Sequence, residues 1–213
     1  MIWNTLRFLF PWFLILGMGV AWGLSFSLAK VAVNHGTAPL TLTVWQSIIA
    51  GILLLLIFLR KIRLPFSKNL LWLCLVIAIC GFIIPGVSLY YAAPHVQAGV
   101  LSITVTLVPI LTYAISIPFG FEKPEFKRIL GLVFGTLAIL LIVIPENSLP
   151  EPEAVPWILL SCLGSAFYSF EGIIIAKKMP DKLNPIGVAC IGNFLAVIFL
   201  LPLLFSSGQQ MSL

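Results

Sequence analysis

Between Asn69 and Phe121 the chain carries no Asp, Glu, Lys or Arg. A helix crossing a hydrocarbon core about 30 Å thick needs roughly 20 apolar residues. The uncharged stretch is therefore too long for one crossing and too apolar to sit in water. It has to turn, and the polar break Pro94-His95-Val96-Gln97 is the one good place. The rest of the chain follows suit: only 9% of its residues are charged, against roughly 25% in a soluble domain. Seven spans are predicted, at Phe8–Val33, Leu40–Leu59, Leu70–Ala93, Gly99–Gly120, Ile129–Ile144, Trp157–Ala176 and Ile186–Phe205. The expected fold is an all-α integral membrane protein, a polytopic helical bundle. A barrel fits poorly, because the runs lack the period-two alternation and roughly ten-residue length of barrel strands. The first run is longer than a signal-peptide core and has no clean A-x-A site, so it reads as a retained span.

The short loops give the orientation. Arg7, Arg60, Lys61, Arg63, Lys68, Lys123, Lys127, Arg128, Lys177, Lys178 and Lys182 all fall on one side of the predicted spans, and only Lys30 on the other. Such a bias places the basic side, with the N-terminus, in the cytoplasm of a cell-membrane protein. The opposite side holds the polar connection Asn34–Thr37, the break Pro94–Gln97 and the acidic Glu146, Glu151 and Glu153. The net charge of +5 does not point to nucleic acid, since the basic residues are scattered between apolar runs. Cys74, Cys80, Cys162 and Cys190 lie inside apolar runs, and His35 and His95 are far apart. Neither a metal site nor a cofactor is expected.

Polar and small residues inside the spans mark the candidate functional faces. Gly99, Ser102, Thr106, Pro109, Tyr113 and Ser116 recur at steps of three and four in the fourth span. They form either a packing seam or the wall of a substrate cavity. Gly19, Gly23 and Ser27 read as a packing stripe beside Trp22, a possible pocket wall, and Gly131 with Gly135 as a GxxxG packing motif. Gly81, Pro85 and Gly86 should distort the third span. Tyr90 and Tyr91 follow, as interfacial belt residues or as substrate contacts. Gln97 completes the turn beside them. In the sixth span Ser161, Ser165, Tyr168 and Glu171-Gly172 make a stripe, and Glu171 is the one acid within any predicted span. A charge at the bilayer centre costs on the order of 2.5–3.5 kcal/mol on insertion scales. Glu171 therefore faces a wet interior, where it could carry a proton between sides, or reaches the interface near Lys177 and Lys178. The candidate substrate path comprises Trp22, Tyr90, Tyr91, Gln97, Ser102, Thr106, Tyr168 and Glu171.

A weak internal repeat accompanies these faces. Trp12, Gly19 and Ala21 recur as Trp157, Gly164 and Ala166, and Pro39 as Pro185. The copies are separated by an odd number of spans and so cross the membrane in opposite senses, as in an inverted-topology repeat.

Taken in order, Trp22-Gly23-Leu24-Ser25-Phe26…Lys30, Leu89-Tyr90-Tyr91-Ala92-Ala93, Ala98-Gly99-Val100-Leu101, Leu107-Val108-Pro109, Gly120-Phe121-Glu122 and Gly131…Gly135 resemble the EamA-type transporters of the drug/metabolite transporter superfamily. The resemblance covers nearly the whole chain. It implies two inverted five-helix repeats around a central cavity, and export of amino acids, other metabolites or drugs. On that plan residues 1–145 form one complete repeat, 146–156 an external loop, and 157–213 the start of a second repeat, with its last three helices expected to be missing. The expected partners are the lipid bilayer, a small-molecule substrate, and a second copy or a complementing chain. Family members often carry Arg in the second span, where this chain has Gln46 after Val44-Trp45, which puts an anion-binding role there in doubt.

Rival classes fit less well. Seven-helix receptors place the N-terminus outside, opposite to the charge bias here. An intramembrane enzyme would need a motif such as HExxH or G-x-S-x-G, or paired carboxylates, and none is present. A non-transporting membrane protein stays open.

Overall fold

A computed structural model describes residues 2–58, 67–143, 152–181 and 183–211. The described residues form seven long helices: α1 (Ile2–Asn34), α2 (Pro39–Phe58), α3 (Lys68–Ala92), α4 (Ala98–Ser116), α5 (Phe126–Val143), α6 (Val155–Lys178) and α7 (Pro185–Ser206). Among the described residues, α1, α2, α3, α4, α6 and α7 hold spans long and apolar enough to cross a membrane. The boundaries follow local chemistry. Pro39 and Pro185 open α2 and α7, where a missing N–H is no loss. Ser67 caps α3 by accepting from the Leu70 N–H at 3.1 Å. Gly36 after α1 and Gly120 after α4 take the left-handed conformation that stops a helix.

Contacts at the helix ends show that neighbours alternate in direction. At one end Lys30 Nζ donates to the carbonyls of Ala93 (3.2 Å) and Val96 (2.6 Å). His95 stacks on Trp157 with ring centroids 4.0 Å apart. There, too, the Leu40 N–H donates to Gln209 Oε1. At the other end Lys177 donates to the Phe121 carbonyl, and the start of α3 packs on the end of α6 and the start of α7. Lys68, Lys123, Lys127, Arg128, Lys177 and Lys178 gather at this second end. Arg60, Lys61, Arg63, Lys182, Glu146 and Glu151, and the side chain of Arg7, lie outside the described residues. Lys30, the exception to the charge bias, thus serves the structure: it binds carbonyls that the end of α3 leaves without helical partners.

Helix α3 is central and α1 peripheral. Residues 9–24 of α1 are exposed, and Phe26 and Ala29 are its buried anchors. Close contacts are made by glycines: a Cβ on Gly164 of α6 would lie 3.2 Å from Pro85 Cα, and one on Gly192 of α7 would lie 2.9 Å from Ile77 Cγ2. Helices α2 and α7 meet through a cluster that includes Leu40, Val44, Ala196, Leu200 and Leu204.

The expected packing stripes are only partly realised within this chain. Gly19, Gly23, Gly99 and Gly131 have nothing near the position of a Cβ, whereas Gly135 packs on Ile110. The fourth-span face is buried only in part within this chain. Helix α4 buries Leu101, Thr104 and Ser116, while Gly99, Thr106 and Pro109 are exposed. The reason is a hydrogen-bonded seam with α6. Thr104 Oγ1 and Ser161 Oγ are 2.6 Å apart, Ser165 donates to the Thr104 carbonyl, and Ser169 donates to the Val108 carbonyl. Ser102 and Thr106 lie on another face and return their hydroxyls to the carbonyls of Gly99 and Ile103.

Candidate functional site

Helices α1, α2, α3, α4, α6 and α7 enclose a cavity of about 550 Å³. Its wall is mostly apolar, with Phe26, Leu53, Phe82, Leu89, Val105 and Val108 among its members. The polar groups come from separate helices: Ser25 from α1, Gln46 and Ser47 from α2, Tyr90 from α3, Ser165 and Tyr168 from α6, and Asn193 from α7. Among the described residues, no Asp, Glu, Lys or Arg lines the cavity. An apolar recess with a few converging polar groups is the usual form of a small-molecule site.

Two amides set its hydrogen-bonding character. Tyr90 Oη donates to Gln46 Oε1 at 2.6 Å, which leaves the Gln46 amide N–H groups as unused donors on a lining residue. Asn193 donates through Nδ2 to the Ala189 carbonyl at 2.9 Å, which leaves Oδ1 as an acceptor. Trp22 and Tyr168, with ring centroids 6.0 Å apart and planes tilted by 42°, add two aromatic faces to the lining for an apolar or cationic group.

Of the residues singled out from the sequence, Trp22, Tyr90 and Tyr168 meet in this cavity. Glu171 sits just behind it: the residue is 8% exposed and its carboxylate abuts Gly81, a lining residue of α3. Tyr91 points elsewhere, into a second groove with Leu40, Val87 and Ser206, where Gln209 Nε2 donates to its hydroxyl. Gln97 is exposed at the start of α4, and Ser102 and Thr106 are not among the cavity residues. Sequence reasoning misses Ser47, Ser169 and Asn193, although an amide inside a span as apolar as α7 is itself a signal.

The third span is distorted where Gly81, Pro85 and Gly86 led one to expect it. The distortion is a π-helical turn over Ile77–Ile83, in which the Ile84 N–H reaches back to the Ile79 carbonyl. Such turns frequently occur at functional sites.

Comparison with known proteins agrees with this architecture. The model of the EamA-like transporter family matches residues 9–144. An "Uncharacterized transporter" of Archaeoglobus fulgidus is 25% identical over 190 residues, covering 89% of this chain and 66% of that protein. The chain therefore spans just under two thirds of the length of that relative. No solved structure matches it. With the family model covering more than half of its length, the chain belongs to the EamA-like transporter family.

Proposed function

We propose that this protein is a multi-pass cell-membrane transporter that exports a small amphipathic metabolite, such as an amino acid or a drug-like compound, through the cavity between α1, α2, α3, α4, α6 and α7. The observation that carries this reading is the wall of the 550 Å³ cavity, apolar with uncharged donors and acceptors. It suits a neutral or zwitterionic molecule with an apolar body. A free anion would lack a countercharge, since Gln46 stands where family relatives often carry Arg.

The proposed topology has seven spans and a cytoplasmic N-terminus. Residues 1–145 form the first five-helix repeat and residues 157–213 the start of an inverted second one. In support, α2 and α7, the second helices of the two units, both open with proline, run in opposite directions and pack on each other. Reporter fusions after Lys68, Arg128 and Lys182 should read as cytoplasmic, and one after Glu153 as external. Reversal at two of these sites would sink the topology.

Transport itself is tested by reconstituting the purified chain in liposomes and following efflux of labelled neutral amino acids and an amphipathic dye. Flux above protein-free liposomes, reduced by Asn193→Ala, is expected. A folded protein without flux for any compound would leave the non-transporting reading. The exposed small and polar face of α4, with Gly99, Thr106 and Pro109, favours a working unit that includes a second copy or a complementing chain. Cross-linking through Thr106→Cys would reveal that neighbour.

A further inference from the structure

We propose that Glu171 and the π-helical turn of α3 form a binding site for one small monovalent cation, a proton or an alkali-metal ion, beside the substrate cavity. The carboxylate is the first observation. Glu171 is buried, and among the described residues no hydrogen bond or salt bridge reaches it. Two of the basic residues at that end of the bundle are engaged elsewhere. Lys177 donates to the Phe121 carbonyl, and Arg128 pairs with Glu122 and Glu125. Among the described residues, Cys80 on α3 and Tyr168 on its own helix lie close enough to feel its charge, and neither is a cation. A buried negative charge without a partner is costly, and a positive charge arriving beside it relieves that cost.

The backbone opposite supplies the second observation. A Cβ on Gly81 would lie 2.9 Å from Glu171 Oε1 and 3.0 Å from its carboxyl carbon, so the acid rests on the π turn itself. The last π bond runs from the Ile84 N–H to the Ile79 carbonyl. The α-helix resumes at Ile84, with Pro85 in its first turn. Pro85 has no N–H to donate, so a carbonyl of the preceding turn, at the level of Gly81, lacks its usual helical donor. Surplus carbonyl oxygens on a broken helix are the groups that bind sodium ions or protons in other transporter folds. A carboxylate placed on such a turn offers oxygen ligands for an alkali-metal ion, or a resting place for a proton. Gly81 and Tyr168 also line the cavity, so occupancy of the site would be felt by a molecule bound there. Binding of the cation does not depend on the transport reading, although coupling to transport does.

Dicyclohexylcarbodiimide, which attacks protonated carboxyl groups in apolar surroundings, tests the site on the full chain in liposomes, with labelling read by mass spectrometry. Glu171 should be labelled, and Glu171→Gln should remove that label. If the ligand is a proton, labelling of Glu171 should fall about tenfold per pH unit above a midpoint distinct from that of exposed Glu153, and sodium should not matter. If it is an alkali-metal ion, sodium chloride should protect Glu171 at constant pH, whereas choline chloride should not. In either case Gly81→Ala, checked for folding by thermal denaturation, should shift the midpoint or weaken the protection by crowding Oε1. Labelling of Glu171 in step with Glu153 at every pH and salt would overturn the proposal. So would an unlabelled Glu171 at every pH in folded protein. Both readouts are binding measurements, so a failure of transport leaves them intact.

Discussion

The sharpest test of the packing is Gly164→Ala, with Gly19→Ala as its control. The sequence presents the two glycines as equivalent positions of a repeat, but the structure gives them opposite surroundings. A Cβ on Gly164 would meet Ser88 Cβ at 3.1 Å and Pro85 Cα at 3.2 Å, while one on Gly19 would meet nothing within 4 Å. The Pro85 contact is to backbone, which cannot rotate away, so α3 and α6 must move apart by a few tenths of an ångström where Gly164 meets Pro85 and Ser88. Overpacking of this kind typically costs about 1–3 kcal/mol. Both substitutions share the helix-propensity gain of replacing glycine, up to about 1 kcal/mol, and the difference between them removes it. Reversible unfolding in mixed micelles should therefore separate the variants by roughly 5-fold to 150-fold in the unfolding equilibrium constant. Gly19→Ala should be neutral or slightly stabilising. Equal effects at the two positions would refute the close approach of α6 to Pro85.

Lys30→Met should lower stability by about 1.5–3 kcal/mol, since the Ala93 and Val96 carbonyls lose a charged donor; a melting temperature equal to that of the parent would remove the capping role. Ser165→Ala should cost about 0.6 kcal/mol through its lost bond to the Thr104 carbonyl, with Ser102→Ala near zero because that hydroxyl bonds within its own helix. Tyr90→Phe releases Gln46 from its fixed orientation and should raise the KM for transport about fivefold, the equivalent of about 1 kcal/mol. An unchanged KM would take Gln46 out of substrate recognition.

The sequence by itself determined the number and approximate limits of the helices. Apolar length is a property of each segment alone, and the bilayer thickness sets its scale. It also exposed the clustering of basic residues, the solitary acid Glu171, the distortion around Pro85 and the family resemblance. Only the tertiary structure decided which faces meet. It turned Thr104 of α4 inward and left Thr106 out, separated Tyr90 in the cavity from Tyr91 in the outer groove, joined Tyr90 to Gln46, and set Glu171 on Gly81. The physical reason is that lipid and protein interior are equally apolar. The hydrophobic periodicity that orients a helix in a soluble protein therefore carries little information in a membrane span. Polar periodicity is ambiguous as well, because a serine or threonine hydroxyl can be satisfied by the preceding turn of its own helix. Ser102 and Thr106 do so, whereas Ser165 and Ser169 also reach across to α4. Which hydroxyls cross between helices is settled by backbone approach, and that approach depends on glycines such as Gly164 meeting a partner from a distant part of the chain.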